Sequence, residues 1–111
     1  MAARTLLTDF ELMVLLAVLR VGEQAYGAAI AREIESTAGR TVVLGALYAA
    51  LERMEAGGLV TSELGAPTRE RGGRAKRLFT VSGGGIRAIK DTQRALVALW
   101  SGVPALKRGG I

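Results

Sequence analysis

Leu59-Val60-Thr61-Ser62-Glu63-Leu64 and Arg74-Ala75-Lys76-Arg77-Leu78-Phe79-Thr80-Val81 decide the fold. Both runs break the helical spacing that precedes them and read as two antiparallel strands. Between them, Gly65 to Gly73 is polar and rich in Gly, Arg and Pro. It is too long for a tight hairpin turn and too charged for a core, so it reads as a mobile loop projecting from a two-stranded ribbon.

Upstream of the ribbon the pattern is helical three times over. Thr8-Asp9-Phe10-Glu11 has the form of a capping box, with Leu7 and Leu12 placed for a hydrophobic staple. The run Leu12 to Leu19 that follows is apolar nearly all round. A helix with one buried face keeps polar residues on the other, so this one is expected to meet a second chain as well as its own core. Gly22 stops it. A second helix is expected from about Tyr26 to Ala38, with Ile30, Ile34 and Ala38 inward, Arg32, Glu33 and Glu35 outward, and Gly39 supplying a left-handed stop. A third spans about Val43 to Ala56, with Leu44, Leu47, Tyr48, Leu51 and Met54 as its buried stripe and Gly57-Gly58 as its end.

Downstream, Ser82 is a good N-cap for a last helix reaching about Trp100, with Ile86, Ile89, Leu96, Val97, Leu99 and Trp100 on its apolar face. Gly83-Gly84-Gly85 weakens its first turn, because each Gly in a helix costs roughly 1 kcal/mol against Ala. Three short helices followed by a β-ribbon make a winged helix-turn-helix. The fold expected is mainly α with a two-stranded β-wing, plus a C-terminal dimerisation helix. Residues 1–81 form the winged unit, 82–101 the dimerisation helix and 102–111 a flexible tail.

Composition removes whole classes of chemistry. The chain has 111 residues, enough for one domain with a core, and lacks both cysteine and histidine. Disulfides, thiol nucleophiles, imidazole acid–base steps and the usual soft-metal sites are therefore excluded. Glycines in the 65–73 segment lack the spacing and Lys of a phosphate loop. An enzyme is not expected, nor a metal or cofactor. The longest apolar run is far short of the ~20 residues of a membrane span, and Asp9 and Glu11 interrupt any secretory layout. A cytoplasmic protein with no membrane partner is expected.

The net charge of +5 is unevenly placed. Residues 1–55 carry five Lys/Arg against seven Asp/Glu, whereas 56–111 carry ten against three. The densest cluster falls at the ribbon: Arg69, Arg71, Arg74, Lys76 and Arg77, opposed by Glu70. In a winged helix the third helix enters the major groove and the ribbon touches backbone beside it, so these cations are placed to meet phosphates. A plainer reading has them blunt the edges of a solvated hairpin.

The stretch Thr41-Val42-Val43-Leu44-Gly45-Ala46-Leu47-Tyr48-Ala49-Ala50-Leu51-Glu52-Arg53-Met54-Glu55-Ala56-Gly57-Gly58-Leu59-Val60 closely resembles the recognition-helix signature of PadR-like regulators. Ala25-Tyr26-Gly27-Ala28-Ala29-Ile30 and the segment Lys76 to Gly85 agree with it. Ala49 stands where the family often has Pro, Ala28 where it often has Tyr, and Gly83-Gly84 where it commonly has charge. The short last helix suits the smaller PadR subtype. The resemblance implies a winged-helix homodimer built from the first and last helices. It also implies repression of nearby genes, relieved by small aromatic compounds or stress signals.

For DNA, the reading assigns Thr41, Val42, Gly45 and Ala46 to the groove. Small residues let the backbone approach, and Val or Ala can touch a thymine methyl. Tyr48 fits the core stripe, and by resemblance its hydroxyl reaches a phosphate. Arg69, Arg71, Arg74 and Lys76 are the phosphate contacts. No Arg, Asn or Gln sits in the first two turns of the third helix, so shape readout and wing contacts carry much of the specificity. Trp100, with Phe10, Met13 and Leu96, is assigned to the dimer interface or to a planar aromatic ligand held there. The partner expected is a pseudo-palindromic duplex bound by a homodimer. The alternative is a winged-helix module that binds proteins through its helices.

Overall fold

Thr8 starts the first helix, α1 (Asp9–Val21), by the reciprocal pairing its sequence suggests. Its hydroxyl accepts from the Glu11 N–H at 3.1 Å, and the Glu11 carboxylate accepts from the Thr8 N–H at 2.9 Å. Such a cap satisfies amides that the helix leaves open and contributes about 1 kcal/mol. Gly22, at φ 82°, ends the helix in a short 3-10 turn, Gly22–Gln24. The computed structural model describes residues 6–65 and 75–107.

The second and third helices, α2 (Gly27–Ala38) and α3 (Leu44–Ala56), pack with α1 around one apolar core. Val14, Leu15 and Val18 from α1, Ile30 and Ile34 from α2, and Leu47, Ala50, Leu51 and Met54 from α3 are all buried there. Gly39, at φ 73°, gives the left-handed stop to α2, and its N–H closes onto the Glu35 carbonyl. Two parts of the expected core are different. Ala38 is exposed at the end of α2. On α3, Ala50 takes a core position while Leu44 and Tyr48 are 46% and 43% exposed. At about 100° per residue, the face centred on Leu47, Ala50, Leu51 and Met54 leaves Leu44 and Tyr48 on its flank.

Strands β1 (Val60–Leu64) and β2 (Arg77–Val81) pair antiparallel, Val60 opposite Val81 and Leu64 opposite Arg77. The first strand begins one residue later than the sequence suggests and ends where expected, the second starts only at Arg77, and beyond them the Gly65 N–H still donates to the Lys76 carbonyl at 2.7 Å. Val60 and Phe79 turn into the core, and the Phe79 N–H donates to the Ala25 carbonyl at 2.9 Å. That bond holds the ribbon against the loop that leads into α2. Three helices and this ribbon around one core form a winged helix-turn-helix.

The last helix, α4 (Gly83–Trp100), is capped by Ser82, whose hydroxyl accepts from the Gly85 N–H. Its glycine-rich start has a packing reason. Ser82 N–H donates to the Leu59 carbonyl and Ser82 Oγ to the Gly58 carbonyl, drawing α4 onto the turn between α3 and β1. A Cβ at Gly85 would overlap the Leu59 carbonyl oxygen and lie 2.6 Å from Val81 Cγ1. Ile89 packs against the core, and the buried Thr92 accepts from the Leu7 N–H at 3.1 Å. Beyond Thr92 the helix leaves the body: Leu96, Leu99 and Trp100 are exposed, and a short turn, Pro104–Leu106, follows. No helix among the described residues is long and apolar enough to cross a membrane.

Candidate nucleic-acid interface

The approach to α3 is fixed by one carboxylate. Glu35 Oε2, near the end of α2, accepts from the Val42 N–H at 2.9 Å, steadying the Thr41–Val43 segment. Glu35→Ala should therefore cost about 1 kcal/mol in thermal unfolding, while Glu35→Gln, which keeps an acceptor oxygen, should cost less. Thr41, Gly45 and Ala46 are exposed along the amino half of α3, and Val42 is half-buried against the core. Val43 is 70% exposed at the N-cap.

Tyr48 leans from α3 onto the amino end of α2. Any Cβ at Gly27 would collide with its hydroxyl and ring, so a glycine there is what lets the tyrosine sit against α2. The neighbouring Tyr26, the N-cap of α2, draws in two cations. Arg32 Nη2 donates to the Tyr26 hydroxyl at 3.1 Å, and Lys76 Nζ lies 4.0 Å from the centre of the Tyr26 ring. The Arg32 hydrogen bond and then the Lys76 charge hold the Tyr26 phenol below the usual tyrosine range. Lys76 sits just before β2, at the outer end of the described ribbon, so this end of the ribbon meets the start of α2, on which Tyr48 of α3 also leans.

Of the other sequence-assigned cations, Arg77 turns back along the ribbon. Its Nη1 donates to Ser62 Oγ, which donates in turn to Glu55 at the end of α3. Arg69, Arg71 and Arg74 lie outside the described residues. Around the apolar assignments, Phe10 and Met13 are half-buried against the core, with the Arg40 guanidinium 4.8 Å over the Phe10 ring. Met13 lines a groove of about 420 Å³ between α1 and α2, with Leu16, Leu19 and Ile34. On its rim Arg20 and Thr37 both donate to Glu33, which lowers the Glu33 pKa. Trp100 lines a separate groove of about 330 Å³ with Val97, Pro104 and Leu106. Phe10 and Leu96 line neither groove, and neither groove holds all four of these residues.

The element order and these contacts agree with one known group of proteins. Residues 15–91 match the Transcriptional regulator PadR-like family. The chain belongs to this family. PadR-like proteins are transcriptional regulators, in keeping with a chain not expected to be an enzyme. No curated protein matches the sequence. Among solved structures, a PadR family regulator from Eggerthella lenta is 24% identical with a TM-score of 0.66, covering 85% of this chain and 80% of that one. A PadR-like regulator from Bacillus cereus is 18% identical with a TM-score of 0.69, covering 87% and 89%. Bacillus subtilis PadR, solved in complex with operator DNA, is 19% identical with a TM-score of 0.62, covering 75% of this chain and 45% of that one. At these identities the likeness establishes a PadR-like winged-helix fold.

Four contributors to this PadR-like surface carry no role in the sequence reading: Tyr26, Gly27, Arg32 and Glu35. Tyr26-Gly27 is visible as a motif, but the cations that gather on Tyr26 come from an exposed helix face and from the ribbon. Only the folded chain brings them together.

Proposed function

We propose that this PadR-like regulator is a homodimeric repressor that grips a pseudo-palindromic operator. In this reading Thr41, Val42, Gly45 and Ala46 lie against the major groove. Tyr48 and Lys76 contact phosphate alongside, and Arg69, Arg71 and Arg74 extend that contact along the wing. The observation that carries it is the meeting of Tyr48, the amino end of α2 and Lys76 beside the open face of α3. A helix amino end carries partial positive charge and unpaired amides, so with Lys76 and Arg32 it suits a phosphate. The operator complex of Bacillus subtilis PadR supports the same use of the fold.

Dimerisation rests on apolar surface that the single chain leaves in water. Leu16 and Leu19 on α1 and Leu96, Leu99 and Trp100 on α4 are all 40% exposed or more. Monomers seldom leave so many large apolar side chains uncovered. Pairing through α1 and α4 buries them and sets two winged units side by side. A flat aromatic ligand lodged near Trp100 would then alter the spacing of those units and release DNA.

Sedimentation and a titration of the chain's own upstream duplex test the proposal together. The expected result is a dimer whose affinity falls steeply with salt, each neutralised phosphate adding about 0.9 to the log–log slope. A stable monomer, or no binding in dilute buffer, would contradict it. The second outcome would favour a protein-binding winged helix.

A further inference from the structure

At the amino end of α3 the solvent face is aliphatic where a base-reading helix usually carries polar side chains, and the charged residues Glu52, Arg53 and Glu55 come only later in the helix. Val43 and Leu44, its N-cap and first residue, are 70% and 46% exposed, with Gly45, Ala46 and Ala49 exposed beside them. A Cβ built on Gly45 meets nothing within 4 Å, so the space before this turn is open. From Val43 to Leu51 only Tyr48 carries a polar side-chain atom, and its hydroxyl is drawn to Gly27.

Val43 is also a poor choice for local stability. Ser, Thr, Asp and Asn stabilise an N-cap because a side-chain oxygen accepts from a first-turn amide. The side chain of Val43 makes no such bond. A residue that costs the helix its cap and still stands in water points to a use outside the fold.

We propose that Val43 and Leu44 read thymine methyl groups, so that each operator half-site places thymines opposite the first turn of α3. The C5-methyl of thymine is the apolar group that base edges present in the major groove. The border of the strip argues for DNA over an apolar protein partner. One turn further along the same helix Tyr48 reaches Gly27, and the adjoining Tyr26 gathers Lys76 and Arg32, so cations suited to a phosphate backbone lie on the same side of the domain. This inference rests on the operator-binding reading above and adds the bases that are read.

The test uses the full chain and a duplex that it enriches from a random pool. Deoxyuridine is then put in place of each half-site thymine in turn, which removes the methyl and keeps every hydrogen-bonding group. Affinity should fall about fourfold for each methyl in contact. Val43→Ala, a change at an exposed side chain, should bind thymine and uracil duplexes alike at the position Val43 reads. Equal affinity of the wild-type chain for every uracil duplex, or enrichment of half-sites without thymine, would overturn the inference while leaving operator binding intact. Failure to enrich any duplex would overturn the operator reading and this inference with it.

Discussion

Gly85→Ala should destabilise the fold by about 3 kcal/mol, a loss on the order of 10 °C in melting temperature. Helix propensity alone argues the other way, because Ala is better than Gly in a helix by roughly 1 kcal/mol. Packing decides the sign. The new methyl would run into the Leu59 carbonyl oxygen and Val81 Cγ1. Leu59 cannot yield easily, since its carbonyl is already the acceptor for Ser82 N–H. Gly83→Ala is the control from the same turn. A Cβ there meets Arg87 Nη1 at 3.7 Å, an ordinary contact, so this variant should gain a few tenths to about 1 kcal/mol. Thermal unfolding of the two variants separates them by direction as well as size. If both were stabilised, the close seating of α4 on the α3–β1 turn would be wrong.

Replacing Arg69, Arg71 and Arg74 together by Ala should weaken operator binding at about 0.1 M salt by at least roughly 100-fold. The slope of log affinity against log salt should flatten by about 0.9 for every phosphate that the variant no longer neutralises. The loss should be similar on specific and unrelated duplexes, because phosphate contacts position a protein without reading bases. Lys76→Ala is a less clean probe, since the ammonium also lies over Tyr26. An unchanged slope in the triple variant would take the wing out of the binding mechanism.

What could be read from sequence was local. The Thr8 capping box, the left-handed Gly39 and the Ser82 cap each depend on a few adjacent residues, and each stands in the structure as its motif suggests. The flank of α3 was not legible in this way. Leu44 and Tyr48 share helical spacing with Leu47 and Leu51, and only the burial of the small Ala50 centres the core face so that they fall on its flank. Glycine was misleading for the same reason. Gly83-Gly84-Gly85 looks like a weak helix start until Leu59, far away in the chain, is seen against Gly85. At the candidate site, Lys76 was identifiable by its charge and position. Its seat on Tyr26, and the help of Arg32, depend on long-range folding. The four apolar residues assigned to one interface were grouped by helix, and a single chain divides them between α1 and the projecting end of α4.

The central claim is that α3, the start of α2 and the Lys76 end of the ribbon form one DNA-facing surface. Backbone amide chemical shifts of the labelled protein, followed as an enriched duplex is added, test it most directly. The largest changes should fall at Tyr26 to Ala29, Thr41 to Ala49 and Lys76. Changes confined to α1 and α4, with those three segments unmoved, would contradict it.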